Sequence, residues 1–128
     1  MIIGVGIDII EVRRMDKWLE SPKLMERYFH QDELATALSR GKGAALSLAA
    51  RFAAKEAFGK ALGTGIENLN LKDIMIENTE NGKPIMKLFG TAEQALKKSG
   101  ANKIHVSLTH EKENAVAMVV LEEILAST

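Results

Sequence analysis

The sequence predicts an α+β fold, an antiparallel sheet packed on a long central helix, and three features carry that expectation. Residues 2–10 (IIGVGIDII) form an apolar run that reads as a strand. Residues 44–62 (AALSLAARFAAKEAFGKAL) are Ala-rich and helix-forming, and Gly63-Thr64-Gly65 ends them. Two pairs of β-rich runs follow, 73–78 with 84–89 and 103–109 with 115–122, joined by Asn81-Gly82 and by the polar segment His110–Asn114. At 128 residues the expected organisation is a single domain, 1–128, with one core.

In the first strand Ile3, Val5, Ile7 and Ile9 share one face, and Ile2, Gly4, Gly6, Asp8 and Ile10 share the other. The glycines leave room beside Asp8 for a close approach. Residues 11–40 read as broken helix. Ser21-Pro22 is a cap followed by an N1 proline, Gln31-Asp32-Glu33 opens a further helix, and Gly41-Lys42-Gly43 interrupts the pattern. Thr91–Lys98 reads as a short amphipathic helix closed by Gly100. In Lys103–His110 (KIHVSLTH), Ile104, Val106 and Leu108 alternate with Lys103, His105, Ser107 and Thr109. The polar set is either a solvated strand face or a row of donors for phosphate or ribose.

Lys+Arg and Asp+Glu both number 17, so no global charge draws the chain to nucleic acid or to an anionic membrane. An anionic ligand needs a local basic patch. The absence of cysteine excludes disulfides, thiolate zinc sites and a cysteine nucleophile, and it suits a reducing cytoplasm. The first run lacks a basic n-region and is broken by Asp8, so a strand is expected rather than a signal peptide. No stretch reaches the ~18 apolar residues of a membrane helix.

Asp8 and Glu56 are carboxylates in apolar surroundings, a costly placement unless their charge is compensated. A cation, or a cation with phosphates, compensates both. Two carboxylates with open positions suit Mg²⁺, and no histidine spacing suggests zinc. Each residue also has a structural reading. Asp8 could cap a helix beginning near Ile10 or Glu11. Glu56 and Lys60 are an i,i+4 pair, worth ~0.3–0.5 kcal/mol as a surface salt bridge. Ala45, Ala49, Ala53, Glu56 and Lys60 line one stripe of the helix, and Arg51 and Lys55 add positive charge suited to phosphate. Gly59–Gly65 (GKALGTG) is not a Walker A loop, because it ends a helix instead of opening one. There is no Gly-x-Ser-x-Gly nucleophile motif. Arg13, Arg14 and Lys17 are diluted by Glu11, Asp16 and Glu20; they read as a solvated face or a contact for an acidic protein.

Two signatures, Gly6-Ile7-Asp8-Ile9 and Phe52-Ala53-Ala54-Lys55-Glu56-Ala57-Phe58-Gly59-Lys60, have the order and spacing of a known family. With Arg51, Gly63-Thr64-Gly65, Asn81-Gly82-Lys83-Pro84 and Ser107-Leu108-Thr109-His110, the chain resembles the holo-acyl-carrier-protein synthases from Ile2 to Leu121. These are the small class of 4′-phosphopantetheinyl transferases. The resemblance implies the 4′-phosphopantetheinyl transferase fold and transfer of the phosphopantetheine arm of coenzyme A to a serine of apo-acyl carrier protein. The reaction releases 3′,5′-ADP and supports fatty acid biosynthesis in the cytoplasm. Asp8 and Glu56 would hold Mg²⁺, and Lys60 would neutralise charge on the transferring phosphate. Arg51, Lys60, Gly63, Gly65, Asn81, Pro84, His105, Thr109 and His110 would form the coenzyme A site, and Arg14 would meet the acidic helix of the carrier protein. The general base stays open among Glu56, a metal-bound water and a carboxylate of the carrier. The resemblance further implies a homotrimer with active sites at subunit boundaries, and neither nucleic acid nor membrane as a partner. A binding module without turnover and a small nucleotide hydrolase are the rival readings.

Overall fold

The computed structural model describes residues 1–126. The chain runs β1 (Ile2–Glu11), α1 (Arg14–Leu19), α2 (Pro22–Tyr28), α3 (Gln31–Leu38), α4 (Ala44–Leu62), β2 (Ile74–Asn78), β3 (Pro84–Leu88), α5 (Gly90–Ser99), β4 (Lys103–His110) and β5 (Asn114–Glu122). One antiparallel sheet has the order β1-β5-β4, and β2-β3 is a separate antiparallel hairpin. The elements follow the sequence signals closely. Ser21 accepts from the Leu24 amide, with Pro22 at the first helical position. Gly63 (φ +82°) closes α4 and Gly100 (φ +91°) closes α5, both in the left-handed region that favours glycine.

Most of α4 is enclosed: Leu48, Ala49, Ala53, Ala54, Ala57 and Phe58 reach no solvent to speak of. The inner sheet face supplies Ala115, Ala117, Val119 and Leu121, and the helical segment before α4 adds Met15, Met25 and Phe29. Trp18 stacks on Tyr28 and meets Phe52 edge-on.

β1 is apolar on both sides, and the structure turns its bulkier face outward. Val5, Ile7 and Ile9 are 56%, 59% and 61% exposed, while Gly6 and Ile10 are buried. The reason is the closeness of α4. A Cβ on Gly4 would lie 1.9 Å from the Ala61 carbonyl oxygen, and one on Gly6 would lie 1.9 Å from that of Ala57. The space beside Asp8 is therefore taken by helix backbone. Gly6→Ala is expected to cost ~1–3 kcal/mol or more, as overpacking does, whereas Gly43→Ala meets only the Arg40 Cβ at 3.6 Å. Urea unfolding of the two variants checks this; equal midpoints would contradict the close packing of β1 on α4.

Cross-strand partners extend the outward face. Ile7 pairs with Met118, and Met118 with Ser107; Val5 pairs with Val120, and Val120 with His105. Met118 is 42% exposed, so an apolar patch crosses from β1 onto β5 and ends at the polar row of β4.

β1 continues through Glu11 and α1 begins at Arg14, so Asp8 caps no helix. This corrects the capping alternative.

Candidate active site

Asp8 shares the inner face of β1 with Gly6, and Glu56 comes from α4. Lys60 sits one turn beyond Glu56 but pairs with Asp8: its Nζ donates to Asp8 Oδ1 at 2.9 Å and to the Ile7 carbonyl at 3.1 Å. The expected Glu56–Lys60 bridge is not the one formed, because β1 presents a carboxylate to the lysine. The other Asp8 oxygen, Oδ2, is buried and has no hydrogen-bond partner among the described residues. Burial first, and the charge of Asp8 second, raise the Glu56 carboxyl above its ordinary value; Lys60 and Arg14 oppose the shift. The two carboxylates are thus neighbours, and Lys60 pairs with only one of the Asp8 oxygens. Among the described residues no three His, Cys, Asp or Glu cluster to hold a metal.

The raised carboxyl has a stability consequence. The folded state holds the Glu56 proton more tightly than the unfolded state does. Stability from this group is full below glutamate's ordinary range and is lost as pH rises through the raised folded value. Glu56→Gln is therefore expected to raise the melting temperature at neutral pH, with the gain shrinking as pH falls below that range. Thermal melts of both proteins across pH check this; a variant less stable than the parent at neutral pH would contradict it.

Arg14 opens α1 with its guanidinium 5.5 Å from the centre of the Phe52 ring, and its charge reaches Glu56. Arg13 is occupied by Glu11 at 2.9 Å.

A second group of the expected residues lies elsewhere. Arg51 is buried on α4, donates to Ser47 Oγ and, at 3.3 Å, to Asn78 Oδ1. Its Nε is buried without a hydrogen-bond partner among the described residues. Burial lowers its pKa; Glu33 raises it and Arg40 lowers it further. A cavity of about 330 Å³ opens there, bounded by Arg40, Ser47, Arg51, Asn78, Pro84 and His110. Asn81 is exposed in the turn that leads to Pro84. Thr109 is on the outer sheet face opposite Val116, away from the inward row that carries Leu108 and His110. His105 is also outward; its Nε2 lies 2.8 Å from Glu122 Oε1 and holds that carboxyl below its ordinary value. Gly63 and Gly65 form the turn after α4, where the Gly65 amide donates to the Gly59 carbonyl.

Arg51 precedes Glu56 by five residues, which is ~7.5 Å along the helix and roughly 140° around it. The carboxylates face the β1 flank of α4 and the Arg51 cavity faces the β4 flank, on opposite edges of the sheet. One chain does not bring the two groups together. Lys55 corrects a further expectation: it is fully buried against Glu33 and is not available to phosphate. Sequence reading missed Asn78, for which there was no local signal, and Ser47, which i,i+4 spacing from Arg51 could have revealed.

The architecture and this distribution of residues define a class. Residues 4–119 match the family profile of the 4′-phosphopantetheinyl transferase superfamily. A relative from Treponema denticola, named holo-[acyl-carrier-protein] synthase, is 59% identical over 122 residues, covering 95% of this chain and 99% of its own. A crystal structure of a holo-(acyl-carrier-protein) synthase from Bacillus anthracis, in complex with CoA (3′,5′-ADP), aligns with TM-score 0.80 at 41% identity, over 97% of this chain and 99% of that one. The Helicobacter pylori holo-[acyl-carrier-protein] synthase in complex with coenzyme A aligns with TM-score 0.78 at 30% identity, over 92% and 99%. This chain belongs to the 4′-phosphopantetheinyl transferase superfamily and, within it, to the holo-[acyl-carrier-protein] synthases.

Proposed function

We propose that this chain, as one domain, transfers the 4′-phosphopantetheine arm of coenzyme A to a serine of apo-acyl carrier protein, releasing 3′,5′-ADP, in support of fatty acid biosynthesis. The observation that carries the reading is the buried, unpartnered Asp8 oxygen beside a second carboxylate that is itself held against its charge. Such a pair fits Mg²⁺, which keeps waters and substrate phosphates as its other ligands. Bound there by Asp8 and Glu56, the ion would supply Lewis-acid polarisation and a template for the pyrophosphate.

The chain's own residues do the rest. Lys60 holds Asp8 in place and sets positive charge beside the carboxylates, where charge builds on the transferring phosphate. The carrier serine oxygen gives up its proton to a base, Glu56 or a carboxylate of the carrier, and forms the new bond to phosphorus as the bond to the 3′,5′-ADP oxygen breaks, so no nucleophile is needed from this chain. The Arg51–His110 cavity is the pocket we assign to coenzyme A, with Asn81 and Pro84 on its rim; Gly63, Gly65, His105 and Thr109 lie outside that cavity, and the family resemblance alone assigns them to coenzyme A. Arg14, exposed and close to Glu56, is the residue we assign to the acidic carrier protein; such attraction weakens with salt.

Two observations support a homotrimer with shared sites. The carboxylates and the Arg51 cavity occupy opposite flanks of one helix, and an apolar sheet face lies open beside them. A second copy covering Val5, Ile7, Ile9 and Met118 would bring its cavity to the first copy's carboxylates; three copies is the number the family resemblance implies. The compartment we infer is the cytoplasm, where a chain without cysteine has nothing for a reducing pool to break. No helix among the described residues is long and apolar enough to cross a membrane.

Intact-mass spectrometry of apo-acyl carrier protein, incubated with this chain, coenzyme A and Mg²⁺, tests the proposal. A gain of one phosphopantetheine arm, lost with EDTA, is the expected result. No gain on several carrier proteins, with coenzyme A still bound, would leave a binding module.

A further inference from the structure

The deepest polar feature of the fold lies outside the groups assigned to the reaction. Lys55 and Glu33 are both fully buried, with Nζ 2.7 Å from Oε1. Lys55 also donates to the carbonyls of Leu71 and Ile74. Glu33 accepts from the His30 amide at the start of α3 and, through Oε2, from the Ile76 amide at 3.0 Å. A single ion pair therefore ties α3, α4 and the entry to β2 together. Burial pulls the Lys55 pKa down and Glu33 pulls it back.

That tie reaches the β2–β3 hairpin through the Ile74 carbonyl and the Ile76 amide. Among the described residues the hairpin shares no ladder with the main sheet, yet it carries Asn78, Gly82 and Pro84, one wall of the Arg51 cavity. Asn78 reaches both sides, accepting from Arg51 and donating to the Gly82 carbonyl. Glu33 holds the Ile76 amide two residues before Asn78, and Lys55 holds the Ile74 carbonyl two residues before that. Apolar packing of Ile74, Ile76 and Met86 holds the hairpin against the core. That packing is non-directional, whereas the buried bonds are aimed at particular backbone atoms of β2.

We infer that Lys55 and Glu33 are positioning residues that hold the hairpin wall of the Arg51 cavity in register with α4, and so set affinity for the co-substrate while leaving the reaction at the carboxylates unchanged. The inference rests on the reading that this cavity takes coenzyme A.

The test uses the double variant Glu33→Gln/Lys55→Met, which removes both buried charges and so avoids leaving one unpaired, alongside the single variant Lys55→Met. In the double variant the apparent KM for coenzyme A is expected to rise roughly ten- to a hundredfold, the worth of one hydrogen bond to a charged group. The kcat and the KM for carrier protein should stay near those of the parent. Native-state hydrogen exchange should quicken at the Ile76 amide and not at Val119 in the central strand. Lys55→Met should show the same exchange pattern with a lower melting temperature. Unchanged exchange at Ile76, or a kcat that falls in step with the rise in KM, would overturn the inference. If the parent protein transfers nothing from coenzyme A, the functional reading fails, and exchange at Ile76 still decides whether the pair positions the hairpin.

Discussion

Replacing either carboxylate, by Asp8→Asn or Glu56→Gln, is expected to lower the rate of arm transfer by a factor of roughly 10³ or more, from several kcal/mol of lost transition-state stabilisation. The substitutions are close to isosteric. For Glu56→Gln the effect on folding is opposite in sign to the effect on rate, since Glu56 is held against its charge and the variant should be more stable at neutral pH. A variant that is more stable and far slower distinguishes a functional carboxylate from a structural one. EDTA should bring the parent protein to the same low rate and leave the variants little changed. Single-turnover transfer assays with and without EDTA make the comparison; a folded Glu56→Gln protein with near-parent rate would sink the metal-site assignment. The exposed Arg13–Glu11 pair offers a control; Arg13→Ala should be near neutral, as surface ion pairs are.

The second large effect is expected at a distance from the carboxylates. Ile7 lies at the centre of the outward apolar patch, between Val5 and Ile9 along β1 and beside Met118 on β5. A carboxylate there costs the lone chain little, because the position faces water. In an assembly the same carboxylate is trapped in an apolar interface without a partner, a penalty of several kcal/mol per site. Ile7→Asp is expected to sediment as a monomer, keep the circular dichroism of the parent, and lose at least ~100-fold in transfer rate, the equivalent of about 2.7 kcal/mol. Sedimentation velocity and the transfer assay on one preparation settle the matter. An Ile7→Asp protein that is monomeric and fully active would show that one chain suffices; one that remains assembled would show that the interface lies elsewhere.

Much of the fold was legible because the signals were local. Gly63 and Gly100 end helices where a left-handed residue is needed, Ser21-Pro22 starts one, and Asn81-Gly82 turns a hairpin. Long-range choices were not legible. Alternation in β1 separates two faces but does not say which is inside when both are apolar. The decision came from how closely α4 approaches Gly4 and Gly6. Lys60 had a carboxylate four residues back on its own helix and took one from β1 instead. Lys55, in the same motif, looked like part of a basic surface and proved to be a core residue, paired with Glu33 from another helix. The sequence grouped Asp8, Glu56 and Lys60, and the structure sets Lys60 on Asp8 and Glu56 within reach of both charges. It placed Arg51 and His110 in the same site, and within one chain they form a separate cavity on the far side of α4.

That separation makes the shared site the central claim, and subunit mixing tests it most directly. Glu56→Gln lacks half of the carboxylate pair, and Arg51→Gln lacks the cavity cation. Each alone should be nearly inactive. Unfolded together in equal amounts and refolded, they should form mixed assemblies in which about a quarter of the boundaries join an intact carboxylate pair to an intact cavity. Transfer to acyl carrier protein, read by intact mass, should then recover to a corresponding fraction of the parent rate. Mixed assemblies that form and stay as inactive as the separate variants would contradict the account and return both groups to a single chain.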